Sequence, residues 1–122
     1  SGVPEKTNGS QVMRFNEGKL EWSLIDFEQL EGMVRVLMFG AKKYDRDNWK
    51  KGLPMRKQCE SMMRHLTAIM KGEAKDTETG EYHWHCIMCN AMFMSHTYQH
   101  HPQHIDLPSP SSKVSVSSHA EA

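Results

Sequence analysis

Between Lys71 and His83 the chain reads Lys-Gly-Glu-Ala-Lys-Asp-Thr-Glu-Thr-Gly-Glu-Tyr-His, which gathers four carboxylates and a histidine into a short polar stretch. Carboxylates held this close repel one another, and a loop that collects them usually has a cation to offset the charge. If the cation is magnesium, its natural partner is a phosphate chain, and the chain becomes a candidate nucleotide hydrolase. A second acidic pair, Glu28 and Glu31, stands three residues apart. On a helix that spacing points both carboxylates the same way, where they could share an ion. The plain alternative for Glu31 is an i, i+4 pair with Arg35, worth only about 0.2–0.5 kcal/mol. For Glu73, Asp76 and Glu78 the alternative is an ordinary polar loop, since Asp76, Thr77 and Thr79 are all common turn or cap residues.

Two further segments carry chemistry. Gly40-Ala41-Lys42-Lys43-Tyr44-Asp45-Arg46-Asp47-Asn48-Trp49 is basic and aromatic. Lys42 and Lys43 suit phosphate, and Tyr44, Asn48 and Trp49 suit stacking on or hydrogen bonding to a base; the plainer reading is a helix connection whose aromatics seal the bundle end. His83-Trp84-His85-Cys86-Ile87-Met88-Cys89 carries two histidines and a CxxC, which invites a zinc reading. Zinc sites of this type recruit a second, distant ligand pair, and no matching CxxC or HxxxH stands in the bundle. On a helix His83 and Cys86 share one face, His85 and Cys89 another. A small zinc-binding interaction module therefore stands as a rival to the enzyme, and a catalytically idle nucleotide-binding bundle as a second. His96, His100, His101 and His104 read as solvated.

Three helices must position these groups. The first is expected from about Leu24 to Gly40, with Leu24, Phe27, Leu30, Val34, Leu37 and Met38 as its apolar face, Asp26 as cap and Gly40 as stop. The second follows Pro54 and runs to Lys71, where Gly72 ends it; Cys59, Met62, Leu66, Ile69 and Met70 make its buried face. Glu60 and Arg64 stand at i, i+4, with His65 next. The third runs from about Tyr82 to Gln99, with Trp84, Ile87, Met88, Ala91, Met94 and Tyr98 as its apolar stripe and His83, Cys86 and Asn90 as a polar one. No β-branched alternating run appears, so the expected fold is all-α, a small antiparallel helical bundle. Short connections make neighbouring helices antiparallel. The start of the first helix then lies beside the end of the second and the start of the third, and Glu28 and Glu31 converge with the acidic loop on a metal site. The basic loop falls at the opposite end, within reach of a neighbouring subunit.

Composition narrows the rest. The 122 residues allow one domain, expected over 13–101, between a disordered polar segment at 1–12 and a disordered Pro/Ser-rich tail at 102–122; Ser1-Gly2 reads as a cloning remnant. Fifteen basic and fifteen acidic residues balance to zero, which argues against a nucleic-acid binder. No apolar run reaches membrane-spanning length and no signal peptide is visible. Three cysteines, an odd count, point away from a disulfide framework and toward a reducing cytoplasm. A core this small makes a homodimer or homotetramer a reasonable expectation.

The order GAKKY…NWKKG, then RHLTAIMKGE with Asp76, Glu78, Thr79, Gly80 and His83, then Asn90-Ala91-Met92-Phe93, resembles the phage dATP/dGTP diphosphohydrolases. These are MazG-like members of the all-α nucleotide pyrophosphohydrolases. The likeness spans about Lys19 to Met94. It implies hydrolysis of a deoxynucleoside triphosphate, dGTP before dATP, between the α and β phosphates. In phages with modified genomes such enzymes supply dGMP for 2-aminoadenine nucleotide synthesis. The resemblance further implies Mg²⁺ or Mn²⁺, two or more ions per site, held by Glu28-x-x-Glu31 and by a second set drawn from Glu73, Asp76, Glu78 and His83. Glu28, Glu31 and Arg64 would serve catalysis, with Arg64, Lys42 or Lys43 neutralising the leaving pyrophosphate. His65, Tyr44, Asn48, Trp49 and Asn90 would contact the base or sugar.

Overall fold

The computed structural model describes residues 12–109. Most of the polar first segment, and the tail beyond residue 109, lie outside the described residues. Three α-helices make the body: α1 over Glu31–Lys43, α2 over Met55–Met70 and α3 over His83–His100. Short 3-10 turns stand at Trp22–Leu24, Phe27–Leu30, Asn48–Lys51 and Pro102–His104. No strand occurs among the described residues, and Lys75 and Tyr82 form an isolated antiparallel bridge. The fold is an all-α small helical bundle, and no described helix is long and apolar enough to cross a membrane.

Each helix boundary has a local cause. The Asp26 carboxylate accepts from the Glu28 amide at 3.2 Å, capping the 3-10 turn that leads into α1. Gly40, expected as the stop, lies inside α1. The helix continues to Lys42-Lys43, whose charges suit the negative end of the helix dipole. Pro54 precedes α2 as its N-cap residue. At the far end Lys71 donates to the Thr67 carbonyl at 3.0 Å, and Gly72 to that of Ile69 at 2.9 Å. Gly72 has φ of +97°, a backbone that an L side chain resists, so the chain turns there.

The helix α3 is central, with its broadest interface on α2 and a smaller one on α1. Gln58 meets Thr97 near the start of α2, and His65 meets His83 a few turns on, so α2 and α3 are antiparallel. The first turn of α1 crosses the start of α3 at very close range. A Cβ on Gly32 would fall 2.0 Å from Nδ1 of His85, so only glycine fits. Cys89 donates its thiol to the Met33 carbonyl at 3.4 Å just beyond.

The buried faces differ from the expected stripes. On α3 the buried residues are His83, His85, Cys86, Cys89 and Thr97, whereas Trp84 and Tyr98, from the expected apolar stripe, are exposed. On α1 Val34 and Met38 are exposed, as are Leu66 and Met70 on α2. Both helices pack on α3, and Val34 and Met38 line an open cavity beside it rather than a closed core. The chain also continues past residue 101 in ordered form. Asp106 Oδ1 accepts from the Arg56 amide at 2.8 Å and its carbonyl from the Arg56 guanidinium at 3.1 Å, closing the open start of α2.

Candidate metal centre and the adjoining cavity

The connection from α2 to α3 is a closed structure rather than a loose loop. Asp76 donates its amide to the Glu81 carbonyl at 2.8 Å, and His83 donates to the Ala74 carbonyl at 2.9 Å. Gly80 turns the chain with φ of +75°. One carboxylate oxygen of Asp76 accepts both the amide of Thr79, at 2.8 Å, and its hydroxyl, at 3.0 Å. These bonds fix the Asp76 carboxylate within the connection.

There it meets two histidines. His65 lies on α2 and His83 opens α3, and each, with Asp76, offers a ligand atom within 4.8 Å of the others. This is the one group of this kind among the described residues. The two Nδ1 atoms face each other at 2.9 Å. His83 is buried, and its Nε2 lies 3.1 Å from a carboxylate oxygen of Glu73. When Nε2 carries the proton to Glu73, the lone pair of Nδ1 points into the cluster, the carboxylate–histidine arrangement that orients metal ligands. Two imidazole nitrogens and a fixed carboxylate are a fitting donor set for one divalent ion.

The electrostatics agree with that role. Burial lowers the His65 pKa, with nearby His83 and Arg64 acting in the same direction and Asp76 opposing, so the ring stays neutral and able to ligate. Burial pushes Asp76 up, but the two Thr79 hydrogen bonds and the neighbouring His65 and His83 outweigh it and hold the carboxyl below its ordinary value.

The other acids have different partners. Glu78 forms an ion pair with Lys43, and Arg35 donates to Glu81 at 3.0 Å rather than serving only as a helical partner for Glu31. The Lys43–Glu78 pair also brings the end of α1 against the acidic connection, so the expected separation of basic loop and acidic loop at opposite bundle ends does not hold. Glu28 and Glu31 are exposed, at the α1 side of the bundle, and do not join the His65–Asp76–His83 cluster. Lys42 and Arg64 are likewise exposed.

Beside the cluster lies a cavity of about 670 Å³ between α1, the basic loop, α2 and α3. Lys43, Tyr44, Asn48, Trp49 and Asn90 line it, which gathers five of the residues singled out for nucleotide contact. Trp49 stacks on Phe93 with ring centroids 4.9 Å apart. Asn90 donates to the Ser61 hydroxyl and to the Cys86 carbonyl, each at 3.2 Å. Thr79 belongs both to the cavity wall and to the Asp76 clasp, so it joins the two sites. Sequence reasoning grouped residues by charge and so placed His65 with the base contacts. The antiparallel packing of the two helices is expected from the short connection, but the eighteen-residue separation of His65 from His83 does not tell that their rings turn toward each other.

The cysteines stand outside the cluster. Cys86 lies 3.8 Å from the Thr79 hydroxyl, and burial raises its pKa. Burial pushes the Cys89 thiol up to about 12. Zinc bound through this CxxC would need thiolates, and no described group with metal-ligand geometry contains a cysteine. With a thiol reagent near pH 8, Cys59, which is part-exposed, is expected to react in the folded chain, while Cys86 and Cys89 react only after denaturant is added. Counting labelled thiols by mass spectrometry checks this.

Comparison with known proteins adds to this geometry. Residues 9–106 match the family described as dATP/dGTP diphosphohydrolase, N-terminal. A protein of Salmonella phage PMBT28 named dATP/dGTP diphosphohydrolase is 38% identical over 71 residues, which cover 58% of this chain and 24% of that protein. The chain thus spans about a quarter of that relative's length. No solved structure matches the chain.

Proposed function

The chain belongs to the dATP/dGTP diphosphohydrolase family through its N-terminal domain, and from that premise we propose that it hydrolyses a purine deoxynucleoside triphosphate, dGTP foremost, to the monophosphate and pyrophosphate. The observation that carries this reading is the adjacency of the His65–Asp76–His83 cluster to a cavity walled by lysine and aromatic rings.

A divalent ion bound at the cluster, Mg²⁺ or Mn²⁺, supplies Lewis acidity toward the phosphates and an activated water. His65, Asp76 and His83 would hold it, and two imidazoles favour Mn²⁺ over Mg²⁺. Exposed Glu28 and Glu31 are proposed for a further ion that arrives with the triphosphate. The chain's own groups do the rest. Glu73 fixes the His83 ring, and Thr79 fixes Asp76. Lys43 exchanges its Glu78 partner for a phosphate oxygen, and Arg64, next to the ligand His65, neutralises charge on the departing pyrophosphate. Tyr44, Trp49 and Asn90 hold the nucleoside in the cavity. Exposed Leu66 and Met70, which lie outside the cavity, support assembly as a homodimer or homotetramer.

The test is a panel of all dNTPs and NTPs with product identification. The expected products are a purine dNMP and pyrophosphate in equal amounts; orthophosphate release, or no turnover of any substrate, overturns the reading.

A further inference from the structure

Gln58 is only 1% exposed and lies on the wall of the cavity, yet none of the sequence motifs includes it. Its Nε2 donates to the hydroxyl of Thr97, fully buried on α3, at 3.3 Å. With the amide in this orientation Oε1 is buried with no hydrogen-bond partner, a state shared among the described residues only by Nδ1 of His85. Native structures rarely leave such an acceptor unmet, because its desolvation is not offset. Gln58 belongs to the cavity wall, so a small shift of that wall on ligand entry is the nearest route by which a donor could reach the oxygen.

The rest of the wall says what kind of donor fits. Trp49 and Phe93, stacked on one another, supply flat apolar surface. Asn90 and Ser61 supply polar groups, and Thr79 and Lys43 lie on the side that adjoins the metal cluster. The volume of about 670 Å³ lies within the roughly 300–1,000 Å³ typical of small-molecule sites. A nucleotide whose phosphates lie toward Thr79 and Lys43 has its base to place among the remaining walls, of which Gln58 is one.

We infer that Gln58 is a base-reading residue, whose amide oxygen accepts a hydrogen from the exocyclic amino group of a purine. This rests on the nucleotide reading above and deepens it. Adenine carries such an amine at position 6 and guanine at position 2, whereas hypoxanthine and unsubstituted purine carry none. A base without the amine leaves Oε1 unmet and loses affinity, the strong form of discrimination that buried polar groups provide. Thr97 is a positioning residue here, since it sets which end of the amide is free.

The test is equilibrium binding by calorimetry, without metal, of four monophosphates to the full chain: dGMP and dIMP, and dAMP and purine deoxyriboside monophosphate. The parent chain is expected to bind at least one amine-bearing member at least ~10-fold more tightly than its counterpart. Preference within the first pair assigns the 2-amino group, and within the second the 6-amino group. Gln58→Leu is expected to bring the ratio close to one while leaving affinity for the amine-free nucleotide almost unchanged. Gln58→Met, unbranched and similar in volume, makes the same removal should the leucine variant fail to fold. No preference in the parent chain, or a preference that survives loss of Oε1, overturns the inference. Because no turnover is measured, failure to release pyrophosphate from any dNTP would overturn the hydrolase reading and leave the binding ratios to decide the role of Gln58.

Discussion

Replacing His83 by Gln is expected to lower dGTP turnover by at least about 100-fold, while helical content and melting profile stay near those of the parent chain. His83 uses both ring nitrogens: Nδ1 faces His65 at 2.9 Å and Nε2 meets Glu73 at 3.1 Å. A glutamine amide cannot present a lone pair to the cluster and a donor to Glu73 with that rigidity. Asp76→Asn is the cleaner companion. The asparagine oxygen still accepts from Thr79, so the turn survives, but the charge that would meet the cation is gone. Steady-state turnover at saturating Mn²⁺, beside circular dichroism of each variant, checks both. Full turnover in either variant would remove that residue from the mechanism.

The largest effect on stability is expected from Gly32→Ala. The added Cβ would sit 2.0 Å from Nδ1 of His85, a ring that is itself buried and edged by Tyr82. Neither α1 nor the ring has an easy way to give, so the cost is that of overpacking, about 1–3 kcal/mol or more. For a domain of this size each kcal/mol lowers Tm by roughly 4–8 °C. Gly40→Ala provides the contrast, because a Cβ there meets nothing within 4 Å and the position is inside a helix. That change is expected to raise stability by about 0.5–1 kcal/mol. Thermal melts of the two variants should shift in opposite directions.

Much of the fold is legible in the sequence because its signals are local. Pro54, Gly72 and the three- and four-residue apolar steps mark α2 and α3 to within a residue or two. What the steps do not reveal is which face turns inward. Trp84 and Tyr98 look like core and are exposed, while His83, His85 and Thr97 look like surface and are buried. Periodicity identifies two faces of α3; the neighbours that choose between them come from residues far along the chain. The site divides the same way. The acidic stretch announces itself by charge, and Asp76 and His83 were within it. His65 lies outside that stretch and joins them through the rotation of α2 that turns its ring onto His83, and Gln58 enters through its contact with Thr97. Glu28-x-x-Glu31 is a strong pattern in one dimension, yet both side chains are exposed.

Release of pyrophosphate that depends on a divalent ion at His65, Asp76 and His83 is the reaction proposed for this chain. It is tested most directly by titrating Mn²⁺ into chain stripped with EDTA, following metal binding by calorimetry and the conversion of dGTP to dGMP and pyrophosphate in the same samples. The expected result is no turnover in the stripped chain, turnover that rises with occupancy, and loss of both in Asp76→Asn. Turnover that persists in excess EDTA, or that rises with Mn²⁺ unchanged in Asp76→Asn, would contradict it.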